Sequence, residues 1–206
     1  MRVIPLVIEK EKMDKARAAC GEEPLLRILP FGKVKAAIAV TGSEVAGGRI
    51  EDKFGPVVEA KMNEYGAEVI CKKIVSDDMT AIAEAVADMA TAGADVILCT
   101  GGMSVDPDDR TPGAVKSLGA RIVTYGAPVL PGAMFLLAYY EKGDRSIPVM
   151  GLPGCVMYSK RTVFDLILPR VLAGDEIEDI GCYGQGGLCL NCQVLSLIHI
   201  SEPTRP

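Results

Sequence analysis

Apolar residues recur in two rhythms along this 206-residue chain. Compact apolar segments at 36–40, 68–75, 96–99, 121–125 and 147–150 predict strands with both faces covered. Between them the spacing lengthens to the helical period. Phe54, Val57, Val58, Met62 and Tyr65 form one apolar stripe closed by Gly66, and Ile82, Val86 and Met89 form a second closed by Gly93, with Asp77 or Asp78 as its N-cap. Thr111-Pro112 reads as a helix start, hydroxyl at the cap and proline in the first turn, for a short helix ending near Gly119. The stretch 132–140 reads as helix-like. After Gly151-Leu152-Pro153-Gly154 a long helix is expected through Val163, Leu166 and Ile167 to Leu172. Strand and helix alternate throughout, so the predicted fold is a three-layer α/β/α domain around a mostly parallel sheet, over residues 34–175.

The first 33 residues read as a small βαβ-like attachment, with extended segments at 3–8 and 25–31 around a helix at 9–20 that Gly21 caps. Residues 176–194 read as the start of a cysteine-containing extension. Residues 195–206, LSLIHISEPTRP, look like translated sequencing-adapter DNA, so a non-native tail and a longer natural protein are expected. The only histidine, His199, falls in that tail, which argues against a histidine base, a Ser-His-Asp triad or a histidine-bound metal.

Composition narrows the class further. Hydrophobic residues make up 49%, with four Phe, six Tyr and no Trp, so the core must be aliphatic. A formal charge of −5 leaves no broad basic stripe for nucleic acid. No apolar run approaches the roughly 18 to 20 residues of a bilayer span, and Met1-Arg2 opens a strand-like segment rather than a secretory leader. Seven cysteines fit a reducing compartment better than a disulfide framework, and the expected location is the cytoplasm with no membrane partner. Cys182, Cys189 and Cys192 offer three thiols where a structural zinc normally takes four ligands.

Three predicted strands end in glycine and hydroxyl chemistry: Thr41-Gly42-Ser43-Glu44, Thr100-Gly101-Gly102-Met103-Ser104 and Gly151-Leu152-Pro153-Gly154. In open parallel sheets such ends converge on a cleft at the carboxyl edge. Glycine backbone there can turn N–H groups toward a phosphate without basic side chains. The same loops carry Glu44, Asp77, Asp78, Asp106, Asp108 and Asp109, whose oxygens suit Mg²⁺ or the N–H edge of a heterocycle. Each piece also has a plain structural reading as a tight turn, a helix cap or a solvated loop. Neither a dinucleotide fingerprint nor a P-loop is present. Cys155, opening the last helix, is the candidate nucleophile.

Over 34–174 these motifs, in this order, resemble the molybdopterin-binding domain of molybdenum-cofactor biosynthesis proteins. The matching residues are Thr41-Gly42-x-Glu44, Asp77-Asp78, Thr100-Gly101-Gly102-x-Ser104, Asp109-x-Thr111, Pro131-Gly132 and Leu152-Pro153-Gly154. The resemblance implies a small-molecule ligand, molybdopterin or its adenylylated form, with Mg²⁺, and a homo-oligomer. It also implies either adenylyl transfer to molybdopterin or insertion of molybdate into the adenylylated product. Pro107-x-Asp109-x-Thr111-Pro112 resembles the first, Gly101-Gly102-Met103-Ser104-Val105 the second, and a related domain of competence- and damage-inducible proteins shares an Asp-Asp-x-Thr loop. Ser43 stands where the insertion enzymes usually carry an acid, and Asp106, Pro107 and Met134 also depart from their pattern. On the leading reading the chain is a molybdenumtransferase-like enzyme, with a binding or sensing module as the alternative. Asp77, Asp78 and Asp109 would then position Mg²⁺ or the ring, Asp109 being the expected metal ligand. Thr41, Gly42, Ser43, Glu44, Thr100, Gly101, Gly102, Ser104, Thr111, Leu152, Pro153 and Gly154 would line the substrate.

Overall fold

The computed structural model describes residues 7–21, 28, 30–103 and 109–181. The chain divides into two units, Met1–Pro30 and Phe31–Pro206. In the first, helix α1 (Lys10–Cys20) ends at Gly21 with φ 66° and buries none of its residues. No described residue within 3–8 or 25–31 forms a strand. The cysteine extension beyond residue 181 and the 195–206 tail lie outside the described residues.

The second unit contains β1 (Lys35–Thr41), α2 (Ser43–Ala46), α3 (Phe54–Glu64), β2 (Glu68–Val75), α4 (Met79–Thr91), β3 (Val96–Thr100), α5 (Thr111–Ser117), β4 (Arg121–Tyr125), β5 (Leu136–Lys142), β6 (Arg145–Leu152), α6 (Cys155–Tyr158) and α7 (Val163–Leu172). One six-stranded sheet runs β2-β1-β3-β6-β5-β4. β1, β2, β3 and β6 are parallel, and β5 is antiparallel to both neighbours. β5 is therefore the one reversed strand of the six, and the sheet is mostly parallel, as the sequence predicts.

Alternation along the strands sorts the core into two layers. Ala36, Ile38 and Val40 of β1, Val96 and Leu98 of β3, and Met150 and Leu152 of β6 pack with Val58 and Met62 of α3 and Phe164, Ile167 and Leu168 of α7. Ala37, Ala39, Ile97, Cys99 and Val149 face the other way, against Val86 and Met89 of α4 and Val115 of α5. The helices on each side of the sheet thus follow from which strand residues are odd and which are even. Full burial of each large aliphatic side chain stabilises by about 1.5–3 kcal/mol.

Two expectations are corrected. Within the stretch 132–140 read as helix-like, residues from Leu136 onward belong to strand β5, paired with β4 and β6. Its run Leu-Leu-Ala-Tyr-Tyr is apolar on both faces, and periodicity cannot separate such a strand from a buried helix segment. The long helix expected after Gly154 is broken into α6 and α7. Thr162 restarts it through a capping box with Asp165, whose Oδ2 accepts the Thr162 N–H at 2.7 Å. Asp165 also pairs with Lys61 of α3 at 2.6 Å, while the Lys61 ammonium donates to the Lys160 carbonyl at 3.1 Å. That buried pair ties the break to α3.

Candidate functional site

The strand ends stand level across the middle of the sheet. Thr41 pairs with Val75, Val40 with Thr100, and Thr100 with Leu152. β1 has β2 on one side and β3 on the other, so chain order switches between β1 and β3. The Thr41 and Thr100 ends meet at that switch, where open α/β sheets place their ligands.

Two buried hydroxyls set the turn after β3. Thr41 Oγ1 donates to the Thr100 carbonyl at 2.8 Å, and Thr111 Oγ1 donates to the Gly101 carbonyl at 3.0 Å. In a planar trans peptide the N–H points opposite the C=O. Fixing these two carbonyls therefore turns the Gly101 and Gly102 amides away from Thr41 and Thr111. Both glycines are obligatory. Gly101 has φ +85°, and a Cβ there would strike the Thr41 carbonyl oxygen. Gly102 has φ +56°, and a Cβ would lie 2.8 Å from Thr111 Oγ1. Thr111 is fully buried inside the first turn of α5, whose N-cap is Arg110, so its hydroxyl braces the glycine loop instead of capping the helix. Among the described residues Thr100 Oγ1 is a buried hydroxyl with no hydrogen-bond partner, at the same switch point. Ser104 lies outside the described residues, as do Asp106 and Asp108.

The β1 end is already engaged. The Gly42 N–H donates to the Val75 carbonyl at 3.0 Å, and the Ser43 N–H donates to Asp77 Oδ2 at 2.7 Å. The Gly42 donor thus joins β1 to the end of β2. Asp78 Oδ1 accepts the Ala81 N–H at 2.9 Å and caps α4. Glu44 is exposed, and its carbonyl accepts the Arg49 N–H at 2.9 Å, folding back the chain after α2. On the β6 side Leu152 and Pro153 are buried, and Gly154 reaches the surface with open space where a Cβ would stand. Burial pushes the Cys155 thiol up, against the lowering by backbone hydrogen bonds.

Asp109 opens the segment that leads into α5. The backbone that follows it passes Gly102, whose Cβ position is 3.5 Å from the Thr111 nitrogen and 3.6 Å from the Arg110 nitrogen. Its carboxylate also acts on Tyr125, at the end of β4. Burial raises that phenol above its ordinary value, and the Asp109 charge raises it further.

Among the described residues no group of three or more His, Cys, Asp or Glu side chains comes together to hold a metal. Asp77 and Asp78 both hold backbone amides. A Mg²⁺ ion commonly takes one or two carboxylates beside ligand phosphates and water. The described residues form no protein-built cage, so a Mg²⁺ ion here would have to take its other ligands from phosphate and water. No described helix is long and apolar enough to cross a membrane.

Sequence reasoning missed Met103 as a brace of the β3 turn. Met103 is buried, its sulfur 2.5 Å from where a Gly151 Cβ would be, so the β3 turn is anchored on β6. A methionine sandwiched in a polar motif, opposite a glycine in a neighbouring strand, was the available signal.

Residues 37–173 match the family model described as "Probable molybdopterin binding domain". The molybdopterin molybdenumtransferase of Nostoc sp. is 28% identical over 160 residues, covering 74% of this chain and 36% of that protein. A CinA-like protein of Mycobacterium sp. is 35% identical over 87 residues, covering 42% of this chain and 21% of that protein. The chain thus spans well under half the length of these relatives. The tungsten cofactor synthesizing protein MoaB of Pyrococcus furiosus superposes with a TM-score of 0.57 at 20% identity, covering 70% of this chain and 98% of that one.

Proposed function

The chain belongs to the family of molybdopterin-binding domains of molybdenum-cofactor biosynthesis, and from that premise we propose that it binds adenylylated molybdopterin at the carboxyl edge of its sheet and inserts molybdate, with release of AMP. The observation that carries this reading is the β1/β3 switch point. There Thr41 and Thr111 turn two successive glycine amides away from themselves, beside the partnerless Thr100 hydroxyl. An anion with several oxygens meets that set of donors without needing a basic side chain.

In this reading the Gly101 and Gly102 amides and the Thr100 hydroxyl hold a phosphate, and Gly154 lets the ligand come close to backbone. Bound Mg²⁺ would offset phosphate charge, with Asp109 as its protein carboxylate. Catalysis is then positioning and electrostatics, because the described residues offer no histidine base. Asp77, Asp78 and Ser43 act one step back, by fixing the β1 and α4 ends. Self-association and a cytoplasmic setting belong to the same proposal.

The test is to mix the protein with adenylylated molybdopterin, Mg²⁺ and molybdate and to follow AMP. Release of AMP at wild-type Asp109 and its loss in Asp109→Ala, with ligand still binding, is the expected outcome. The second reading, adenylyl transfer, is favoured by Asp109-x-Thr111-Pro112. It would show as ATP-dependent adenylylation of molybdopterin instead. Binding without either turnover would leave a carrier or sensor and would sink both enzyme readings.

A further inference from the structure

Gly151 lies within strand β6, and its φ is not left-handed. Its missing side chain therefore serves space and not backbone conformation. A Cβ there would lie 2.5 Å from the Met103 sulfur and 2.7 Å from the Met103 methyl carbon, with the Leu136 Cβ at 3.0 Å. Met103 is 4% exposed and belongs to the buried layer that holds Cys99 and Leu136, the two residues paired with Gly151. Its thioether thus fills a seat that the glycine leaves open on β6. In sequence Met103 directly follows Gly101-Gly102. The turn is then held at three points: Thr41 on the Thr100 carbonyl, Thr111 on the Gly101 carbonyl, and the Met103 side chain on β6. The two hydroxyls fix its entry, and the thioether fixes its exit.

From this geometry we propose that Met103 is a positioning residue, whose seat on Gly151 keeps the Gly101 and Gly102 amides presented to an anion before the ligand arrives. The inference rests on the molybdopterin reading above and deepens it, since the phosphate then meets a loop that is already ordered. Met103 touches no ligand in this scheme and acts through the backbone. Glycine has more conformational freedom to lose than any other residue. Ordering the backbone of even one residue at the moment of binding would weaken affinity about tenfold. Methionine suits the task because its unbranched chain can reach back from the turn and fill an irregular gap.

The experiment measures backbone ¹⁵N order parameters of Gly101 and Gly102 without ligand, and dissociation constants for adenylylated molybdopterin. It compares the wild type with Met103→Ala, Met103→Leu, Gly151→Ala and Val149→Ala. Met103→Ala empties the seat. Gly151→Ala pushes the thioether out of it, and the displaced atoms are the free end of a flexible side chain, so this variant serves should Met103→Ala fail to fold. In both, the glycine order parameters are expected to fall from about 0.85 to below about 0.6, and the ligand is expected to bind about tenfold more weakly. Met103→Leu, of similar volume, should keep an ordered turn and an affinity within about threefold of the wild type. Val149→Ala opens a cavity in the same layer, two residues further from the carboxyl edge. It should lower stability and leave both readouts unchanged, which separates positioning from a general loss of packing. Order parameters or affinity unchanged in Met103→Ala and Gly151→Ala, or lost equally in Val149→Ala, overturn the positioning role and leave the molybdopterin reading intact. A wild type whose turn is ordered but binds no adenylylated molybdopterin overturns the molybdopterin reading itself, and the role of Met103 in binding with it.

Discussion

Ser43 and Asp77 hold each other twice, the Ser43 N–H on Asp77 Oδ2 at 2.7 Å and the Asp77 N–H on Ser43 Oγ at 3.2 Å. The residues are 34 positions apart, and their exchange closes the ends of β1 and β2 into one rim. Ser43 occupies a position where an acid is usual in the insertion enzymes it resembles. A second carboxylate there would face Asp77 and repel it.

Each partner of this clamp is therefore expected to depend on the other. Ser43→Ala and Asp77→Ala should each cost about 1 kcal/mol, and the double variant should cost less than their sum by about 0.5 kcal/mol or more. Urea unfolding of the four proteins measures the coupling. Strict additivity would mean that the two hydrogen bonds do not act together.

Glycines at positive φ should separate by what surrounds them. Gly101→Ala forces a Cβ onto the Thr41 carbonyl, whereas Gly143→Ala, at φ +60°, meets nothing within 4 Å. The second should cost about 1–2 kcal/mol for backbone conformation alone. The first should cost at least about 2 kcal/mol more, by clash and lost loop geometry. Equal denaturation midpoints would show that the β1/β3 approach relaxes freely.

The Lys61–Asp165 pair is enclosed, with side-chain exposures of 10% and 3%. Asp165→Ala strands the ammonium and is expected to destabilise by about 3–5 kcal/mol. Lys61→Met together with Asp165→Leu should recover part of that loss, since neither charge is then buried alone. A double variant no more stable than Asp165→Ala would locate the cost in the lost capping of α7 and not in the stranded charge.

Burial pushes the Cys99 thiol from 9.0 up to about 12. Its folded value lies above its unfolded one, so the associated stability is fully present below about pH 9 and is lost as pH rises toward 12. Thermal melts from pH 8 to 11 should show declining stability, with a shallower decline in Cys99→Ala. A thiol reagent at pH 8 should label exposed Cys20 rapidly and Cys99 only at the rate of unfolding. Rapid labelling of Cys99 in the folded protein would contradict its enclosure.

Much of this was legible in residue order because local and global signals agreed. The stripe of Ile82, Val86 and Met89, the Asp78 cap and the strand 68–75 all recur in the structure. Reading failed where a decision was made across the sheet. Nothing local tells Leu136 that it will be flanked by two strands, and nothing in Thr162 alone reveals that Lys61 waits on α3 to hold the helix break. The site divides in the same way. Its glycines were legible because positive φ and close approach demand glycine, whereas the Gly42 amide could not be known to be taken by Val75.

The reversal of β5 has a practical side. With β5 running down the sheet, the two-residue turn Gly143-Asp144 that joins it to β6 lies at the amino edge, where Arg145 pairs with Asp95 at the base of β3. The eight residues of β6 carry the chain from there to Leu152, roughly 25 Å. An affinity handle or fluorophore introduced at that turn would sit at the opposite end of the sheet from the proposed ligand edge. The domain could then be tethered to a surface without blocking the carboxyl edge of its sheet.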